Sequence, residues 1–267
     1  MAALAESTAL LAIDPPPCSP TRKKRGRCDT YHVVRNGPDA ILRSLLDLIP
    51  ASESGRVEAL LAMCPTIEIA AGEVYFRSSF DSAPLLVVER GFVVVRASFE
   101  ESSRSIVTCE AGPGRIILPP SEEEILSGLV ESRLTALSPL AISKLMALPG
   151  AAQTLVEQLT ASLGEKQENL SNFASARHIE RVRRKLLQLA RSYGRVARDG
   201  VRIDFPISHS LLAEMVGSSR ETVTRAIDEL QRTGFVARSG HSYRLLVSPE
   251  SILTATRADE PFTIALM

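Results

Sequence analysis

The chain has 267 residues, 45% of them hydrophobic, and its 31 basic and 31 acidic side chains leave a formal net charge of zero. That length suits two modest domains, each able to bury its own core. No apolar run approaches the roughly 18 residues of a membrane-spanning helix. Four cysteines without a paired pattern fit a reducing cytoplasm, and no positive n-region precedes the Ala/Leu-rich start, so no signal peptide is expected.

The balanced total conceals an asymmetry. Arg177 to Arg244 holds fourteen basic residues against seven acidic, whereas Leu60 to Leu170 holds eight against fourteen. The C-terminal part is therefore the one suited to face phosphates. No nucleophile motif, phosphate loop or metal-spaced His/Cys set is present, so the chain does not read as an enzyme and no metal site is expected.

In chain order, residues 1–36 read as a disordered basic tail, because Pro15-Pro-Pro-Cys-Ser-Pro cannot sit inside a helix or sheet and Arg22-Lys-Lys-Arg-Gly-Arg is a cationic cluster. Such an arm is either solvated or adds non-specific DNA affinity. Pro38 to Met63 reads as helical, with Ile41, Leu45, Leu46 and Ile49 in one stripe and Val57, Leu60 and Leu61 in another. From Thr66 the rhythm changes to short β-prone runs: Ile67-Glu-Ile, Val74-Tyr-Phe, Leu85-Leu-Val-Val, Phe92-Val-Val-Val-Arg, Ile106-Val-Thr and Ile116-Ile-Leu. Gly72, Gly91, Gly112 and Gly114 punctuate them, which predicts a barrel or roll.

Helical periodicity returns from Gly150. Val156, Leu159, Leu163, Lys166, Leu170 and Phe173 alternate steps of three and four, as in a coiled-coil seam that Lys166 interrupts. Val156, Leu159, Leu163, Leu170 and Phe173 are accordingly the candidate dimerisation residues; the alternative is a helix packed on its own roll. Phe173 to Tyr193 reads as a further amphipathic helix, and Val201-Arg-Ile-Asp-Phe as a short strand. After Pro249 a short helix through Thr254 and a tail close the chain.

The most informative stretch is Ile207 to Ser248. Ser208 caps a short helix, Gly217 stops it and permits a tight turn, and Ser218 or Ser219 caps a second helix that Gly234 ends. On that second helix Val223, Ile227 and Leu230 should be buried, while Arg220, Glu221, Thr224 and Arg225 lie on another face towards its N-terminal end. This is the layout of a helix-turn-helix DNA reader, in which arginine can fork onto guanine and glutamate can accept from cytosine. Two β-prone runs around Ser239-Gly240 read as a hairpin, the wing of a winged helix. The candidate DNA-binding residues are Ser208, Ser218, Ser219, Arg220, Glu221, Thr222, Thr224 and Arg225.

Val216-Gly-Ser-Ser-Arg-Glu-Thr-Val-Thr-Arg, followed by a hydrophobic helix and a glycine hairpin, resembles the winged helix of the cyclic-AMP receptor protein / fumarate-nitrate regulator (Crp/Fnr) family. The resemblance implies an α+β fold: an N-terminal cyclic-nucleotide-binding-like β-roll (37–148), a long dimerisation helix (149–173), a C-terminal winged helix-turn-helix (174–255) and a tail (256–267). It also implies a cytoplasmic bacterial homodimer whose partners are double-stranded DNA and RNA polymerase. Arg220 and Arg225 would contact guanines and Glu221 a cytosine, in an inverted repeat of TGTGA-like half-sites about one helical turn, roughly 34 Å, apart.

Ala71-Gly-Glu, Val88-Glu-Arg-Gly-Phe-Val-Val-Val and Ala111-Gly-Pro-Gly are similar to the glycine turns of the nucleotide-binding roll. The chain then departs from the family. Nucleotide-binding members follow the last turn with Gly-Glu and an Arg-Ser/Thr-Ala, whereas this chain runs into Arg115-Ile-Ile-Leu-Pro-Pro-Ser-Glu-Glu-Glu. Glu122, Glu123 and Glu124 would repel a phosphate unless paired elsewhere, and Arg133 is too close to the Ala136-Leu-Ser-Pro turn to serve as the clamp. Cyclic AMP is therefore not expected as ligand. Nor is an iron–sulfur cluster, because Cys18, Cys28, Cys64 and Cys109 lack the close pairs such clusters need, and His32 stands alone. The expected function is operator binding independent of cyclic AMP. The competing readings are a regulator gated by a small molecule or by redox chemistry, and an architectural protein that coats DNA; Glu221, close to phosphates, argues against the last.

Overall fold

The computed structural model describes residues 48–80, 83–98, 105–174, 177–203, 205–249 and 252. The expectations for the basic tail, Cys18, Cys28, His32, Ile41, Leu45, Leu46 and residues 256–267 lie outside these. The first described helix, α1 (Ala51–Leu61), follows Pro50, which with Ile49 interrupts the helical run expected over Pro38–Met63, and its Val57, Leu60 and Leu61 are buried. Proline fixes its own φ and removes a donor, so it sits readily ahead of a helix.

Eight strands follow: β1 (Thr66–Ile69), β2 (Val74–Tyr75), β3 (Leu85–Arg90), β4 (Val93–Ser98), β5 (Ser105–Ala111), β6 (Ile116–Ile117), β7 (Glu124–Gly128) and β8 (Ser132–Leu137). They form two four-stranded antiparallel sheets, ordered β1-β8-β3-β6 and β2-β7-β4-β5. The six runs expected from sequence are present. β7 and β8 were not anticipated: the triple glutamate conceals the start of β7, and both strands are defined by long-range partners, β7 with β4 and β8 with β1 and β3. Arg133 lies inside β8, opposite Glu68 of β1.

Two-residue periodicity explains the continuous apolar runs of β3 and β4. Leu85 and Val87 point into a core shared with helices, while Leu86 and Val88 point into the roll. On β4, Val93 and Val95 face the roll interior and Val94 faces the C-terminal helices. Both faces are covered, so neither strand alternates with polar residues. Gly91 joins them at φ 84°, and a Cβ there would stand 2.3 Å from the Ser132 hydroxyl. That oxygen accepts from the Phe92 backbone N–H at 2.9 Å, so the hairpin can approach the β7–β8 turn only with glycine at this position.

Helices α2 (Pro139–Met146) and α3 (Pro149–Ala174) close the helical side of the roll. Helix α2 follows directly on the expected Ala136-Leu-Ser-Pro turn; Ser138 caps it by accepting from the Ala141 N–H, with Pro139 at its first position. The N-terminus of α3 is capped from far away: the Glu53 carboxylate of α1 accepts from the Gly150 and Ala151 N–H groups at 3.1 and 2.9 Å. Helix α4 (His178–Tyr193) starts later than the expected Phe173. It leads into a hairpin of β9 (Gly194–Ala197) and β10 (Gly200–Ile203), of which only the second strand was anticipated, over 201–205. Helices α5 (His209–Val216) and α6 (Arg220–Arg232) and strands β11 (Val236–Ser239) and β12 (Ser242–Leu245) complete the described elements, in a third sheet ordered β11-β12-β10-β9. Of the helix expected after Pro249, Pro249 and Ile252 are helical and Ile252 is buried. No helix among the described residues is long and apolar enough to cross a membrane.

Candidate nucleic-acid interface

The C-terminal helices are assembled by local chemistry. Ser208, in extended conformation, accepts from the Leu211 N–H at 3.0 Å and starts α5. Gly217 ends it in the left-handed region at φ 59°, and a Cβ there would press to 3.0 Å from the Phe173 ring. Ser219 then starts α6 by accepting from the Thr222 N–H at 3.2 Å, and its hydroxyl also meets that of Thr222 at 3.0 Å. Val223, Ala226, Ile227 and Leu230 seal the inner face of α6. Arg220, Glu221 and Arg225 stand exposed on the outer face, with Thr224 half-buried beside them.

The wing follows at once: β11 and β12 pair in register from Val236↔Leu245 to Ser239↔Ser242, with Gly240 at φ 60° in the turn. Tyr243 is wholly buried and anchors the hairpin, and the Arg238 guanidinium lies 5.8 Å from its ring centroid. Arg238 itself is exposed, and both it and Arg220 act electrostatically on His209. The backbone N–H of Glu221 and the Ser219 hydroxyl hold the Glu221 carboxyl below the usual carboxylate range, so it remains ionised at neutral pH. Among the described residues Arg220 and Arg225 form no ion pair, and their guanidinium groups remain available to an outside acceptor.

The eight candidate residues thus divide. Arg220, Glu221, Arg225 and Thr224 lie together on one face. Ser208, Ser219 and Thr222 are engaged in the two caps. Ser218 turns away from α6 and meets His178 Nδ1 at 3.1 Å. Three further residues at this surface escaped the sequence reading. His178 Nδ1 also accepts from Arg181 at 2.6 Å. Arg181, 9% exposed, donates to the Val216 and Phe173 carbonyls at 3.3 and 3.4 Å and so ties α4 to the turn. His209, the first residue of α5, reaches Thr224 at 2.8 Å. No spacing signal marks these three, because each acts across elements.

The roll packs directly on these helices. Phe92 stacks on Phe205 with centroids 3.7 Å apart, Tyr193 meets Phe92 edge-on at 4.7 Å, and Phe92, Val94 and Val107 share one core with α4, α5 and α6. Arg96 of β4 pairs with Glu214 of α5 at 2.7 Å. Lys185 of α4 is 1% exposed and binds Glu110 of β5, Asn169 of α3 (2.9 Å) and Gln188 (2.9 Å).

On the helical side of the roll, Arg115 pairs with Glu165 of α3, whose carboxyl is pushed up by burial even beside the guanidinium. Glu124 accepts from Thr108 at 2.6 Å and from the Ser121 N–H at 3.0 Å, whereas Glu122 and Glu123 are exposed. Cys64 and Cys109 are free thiols, and burial, reinforced by Glu110, pushes Cys109 up to about 12. Among the described residues no cluster of His, Cys, Asp and Glu is arranged for a metal ion.

Residues 180–250 match the model of the Crp-like helix-turn-helix domain, and 197 residues align, at 22% identity, with the CRP-like cAMP-activated global transcriptional regulator of Mycobacterium tuberculosis, over 71% of this chain and 88% of that protein. Residues 180–250 are therefore a Crp-like helix-turn-helix domain. The global nitrogen regulator of Synechocystis is 44% identical over 52 residues, 20% of this chain and only 23% of the relative's length. Among solved structures, a CooA variant from Carboxydothermus hydrogenoformans superposes with a TM-score of 0.60 at 15% identity, covering 73% of this chain and 88% of that one. FixK2 from Bradyrhizobium japonicum gives 0.58 at 16% identity, covering 74% and 100%. At these identities the structural matches establish the Crp/Fnr fold: a roll, a long helix and a C-terminal helix-turn-helix.

Proposed function

We propose that this chain is a homodimeric transcription regulator of the Crp/Fnr family that reads an inverted-repeat operator without cyclic AMP. The observation that carries this reading is α6 itself, whose apolar face is sealed while Arg220, Glu221 and Arg225 project from its N-terminal half without ion-pair partners among the described residues. In this reading the arginines fork onto guanines and Glu221 accepts from a cytosine. Ser219, at a helix N-terminus, and Arg238, on the wing, are placed to meet phosphates.

The second copy is expected on α3, where Val156 and Leu163 are 55% and 60% exposed. Leu159 and Phe173, counted in the same seam, serve the chain's own packing: Leu159 joins the core under α1 and α2, and Phe173 lies against Gly217. The Leu170 side chain is outside the described residues. Independence from cyclic AMP is supported by the Arg115–Glu165 pair, which occupies the space between the last glycine turn of the roll and the long helix. The division into roll (37–148), dimerisation helix (149–173) and winged helix-turn-helix (174–255) belongs to this proposal, as do RNA polymerase as partner and the cytoplasm as compartment.

The test is selection of bound duplexes from random DNA by the full chain, followed by affinity measurements at one fixed salt concentration. Arg220→Ala is expected to weaken the selected site by about 1–3 kcal/mol and random DNA far less. Glu221→Ala is expected to strengthen random-DNA binding and to relax the choice at one base pair. Equal shifts on both DNAs in both variants would show that α6 is not the base reader. A second reading, in which an unidentified ligand of the roll gates binding, is favoured by the core that Phe92, Val94 and Val107 share with the reader, because a change in the roll cannot leave that packing untouched.

A further inference from the structure

His209 begins α5 but does not belong to its cap, which Ser208 supplies. Its Nδ1 stands 2.8 Å from the Thr224 hydroxyl, and that hydroxyl lies 2.9 Å from the Arg220 carbonyl. A threonine has one hydroxyl proton, and the carbonyl can only accept. The Thr224 proton therefore goes to Arg220 O, and Thr224 Oγ1 accepts from His209 Nδ1–H. This fixes the tautomer: Nδ1 carries the proton, and Nε2 holds a lone pair. Nε2 is buried and has no hydrogen-bond partner. His209 is thereby a strut between the start of α5 and the head of the reading helix, with one unused protonation site.

The charges around that site come from α6 and from the wing. Arg220 and Asp228 of α6, Arg238 of β11 and His241 in the wing turn all act on the ring. Burial, then Arg238, with Arg220 and His241 adding, hold His209 below its ordinary 6.5; Asp228 opposes them without reversing the result. In the free protein at neutral pH the imidazole is uncharged. These same cations, on the exposed head of α6 and on the wing, are the ones that face DNA in the proposed function.

We propose that His209 positions the reading helix through Thr224 and takes up a proton on Nε2 when DNA docks, which makes operator affinity pH-dependent. The inference rests on the DNA-binding reading above. The step is a protonation by solvent: the Nε2 lone pair gains one proton and the ring gains one positive charge, while Nδ1–H continues to hold Thr224. Its driving force is electrostatic. Phosphates neutralise Arg238 and Arg220 and bring negative potential of their own, so the imidazolium disfavoured in the free protein is favoured in the complex. The sign follows from linkage. The bound state titrates at higher pH than the free state, so affinity rises as pH falls through the bound midpoint and levels off below the free one. In the absence of DNA the effect on folding is opposite: the folded midpoint is depressed, so acid below about 6.5 costs stability as the buried ring is forced to charge.

The experiment uses the full chain and a duplex recovered by selection from random DNA, titrated from pH 8 to pH 5.5 at constant ionic strength. His209→Asn is the decisive variant, because its amide N–H can replace Nδ1–H towards Thr224 yet cannot titrate. It is expected to match wild type at pH 8 and to bind roughly three- to tenfold more weakly at pH 5.5, a factor of ten corresponding to one unit of midpoint difference. His209→Ala, without the strut, is expected to bind more weakly at every pH. His241→Asn is expected to retain the wild-type pH dependence. Parallel pH profiles for wild type and His209→Asn, within about twofold throughout, would overturn the proposal. So would an Asn variant already impaired at pH 8, which would indicate a structural role alone. A second measurement depends on no variant's folding: the wild-type His209 ring titration followed by NMR is expected to move to higher pH on adding the duplex, and an unmoved midpoint refutes the proposal. If wild type recovers no DNA at any pH, the reader assignment fails first and takes the inference with it.

Discussion

Two regions of this chain use the same residue types to opposite ends. At the head of α6, Arg220, Glu221 and Arg225 stand in water without ion-pair partners among the described residues. At the junction of roll and reader, Lys185 and Glu110 are 1% and 5% exposed and locked together, with Asn169 and Gln188 completing the ammonium's shell. A charge left in water costs little to keep and can be spent on a ligand. A charge taken from water must be matched inside the fold. Location therefore separates recognition from architecture, and composition does not.

The largest expected effect comes from breaking the architectural side. Lys185→Met leaves Glu110 charged and buried without a partner, and it should lower stability by about 3–5 kcal/mol. The double variant Lys185→Met/Glu110→Gln should recover much of that loss, because no unpaired charge remains. Denaturant unfolding of both proteins checks this, and a double variant no better than the single one would mean that the pair is not the source of the loss. Arg220→Ala, on the recognition side, should leave stability within about 0.5 kcal/mol of wild type.

Helix α3 sharpens the comparison, since it holds both kinds of position within a few residues. Leu163→Glu places a charge on an exposed site and should convert a dimer to a monomer in sedimentation while the melting temperature of the monomer barely moves. Leu159→Glu places it against the core under α1 and α2 and should unfold the chain as well. A dimer that survives Leu163→Glu would remove α3 from the interface.

The smallest effect concerns the thiols. Cys109 is half-buried and packs on the interior of the roll, and with its thiol pushed up to about 12 it forms almost no thiolate at pH 8. Alkylation at pH 8 followed by mass spectrometry should leave Cys109 unmodified in the folded chain and label it fully in denaturant. Rapid labelling of folded protein would show that the roll opens readily.

How far each region can be read from sequence follows from the range of its contacts. The reader is legible because its rules operate within four residues: Ser208 and Ser219 accept from N–H groups three positions on, Gly217 supplies the left-handed turn, and Val223, Ile227 and Leu230 repeat at helical spacing. The roll is legible only in part. Its six most apolar strands show in the residue pattern, but β7 and β8 have Glu, Ser and Arg in their runs and are strands because β4, β1 and β3 offer them unpaired edges.

By itself, then, the amino-acid sequence determined the helix-turn-helix, its wing and which face of α6 stays polar and exposed, since caps, glycine turns and apolar spacing are decided by neighbours along the chain. Tertiary structure alone decided that His209 buttresses Thr224, that Ser218 serves His178 rather than α6, that Leu159 faces inward while Leu163 faces out, and that the roll and the reader share one core through Phe92. Those contacts join residues 15 to more than 100 positions apart. No local propensity encodes such a pairing; it exists only once the elements have packed and burial has chosen which side chains must find partners.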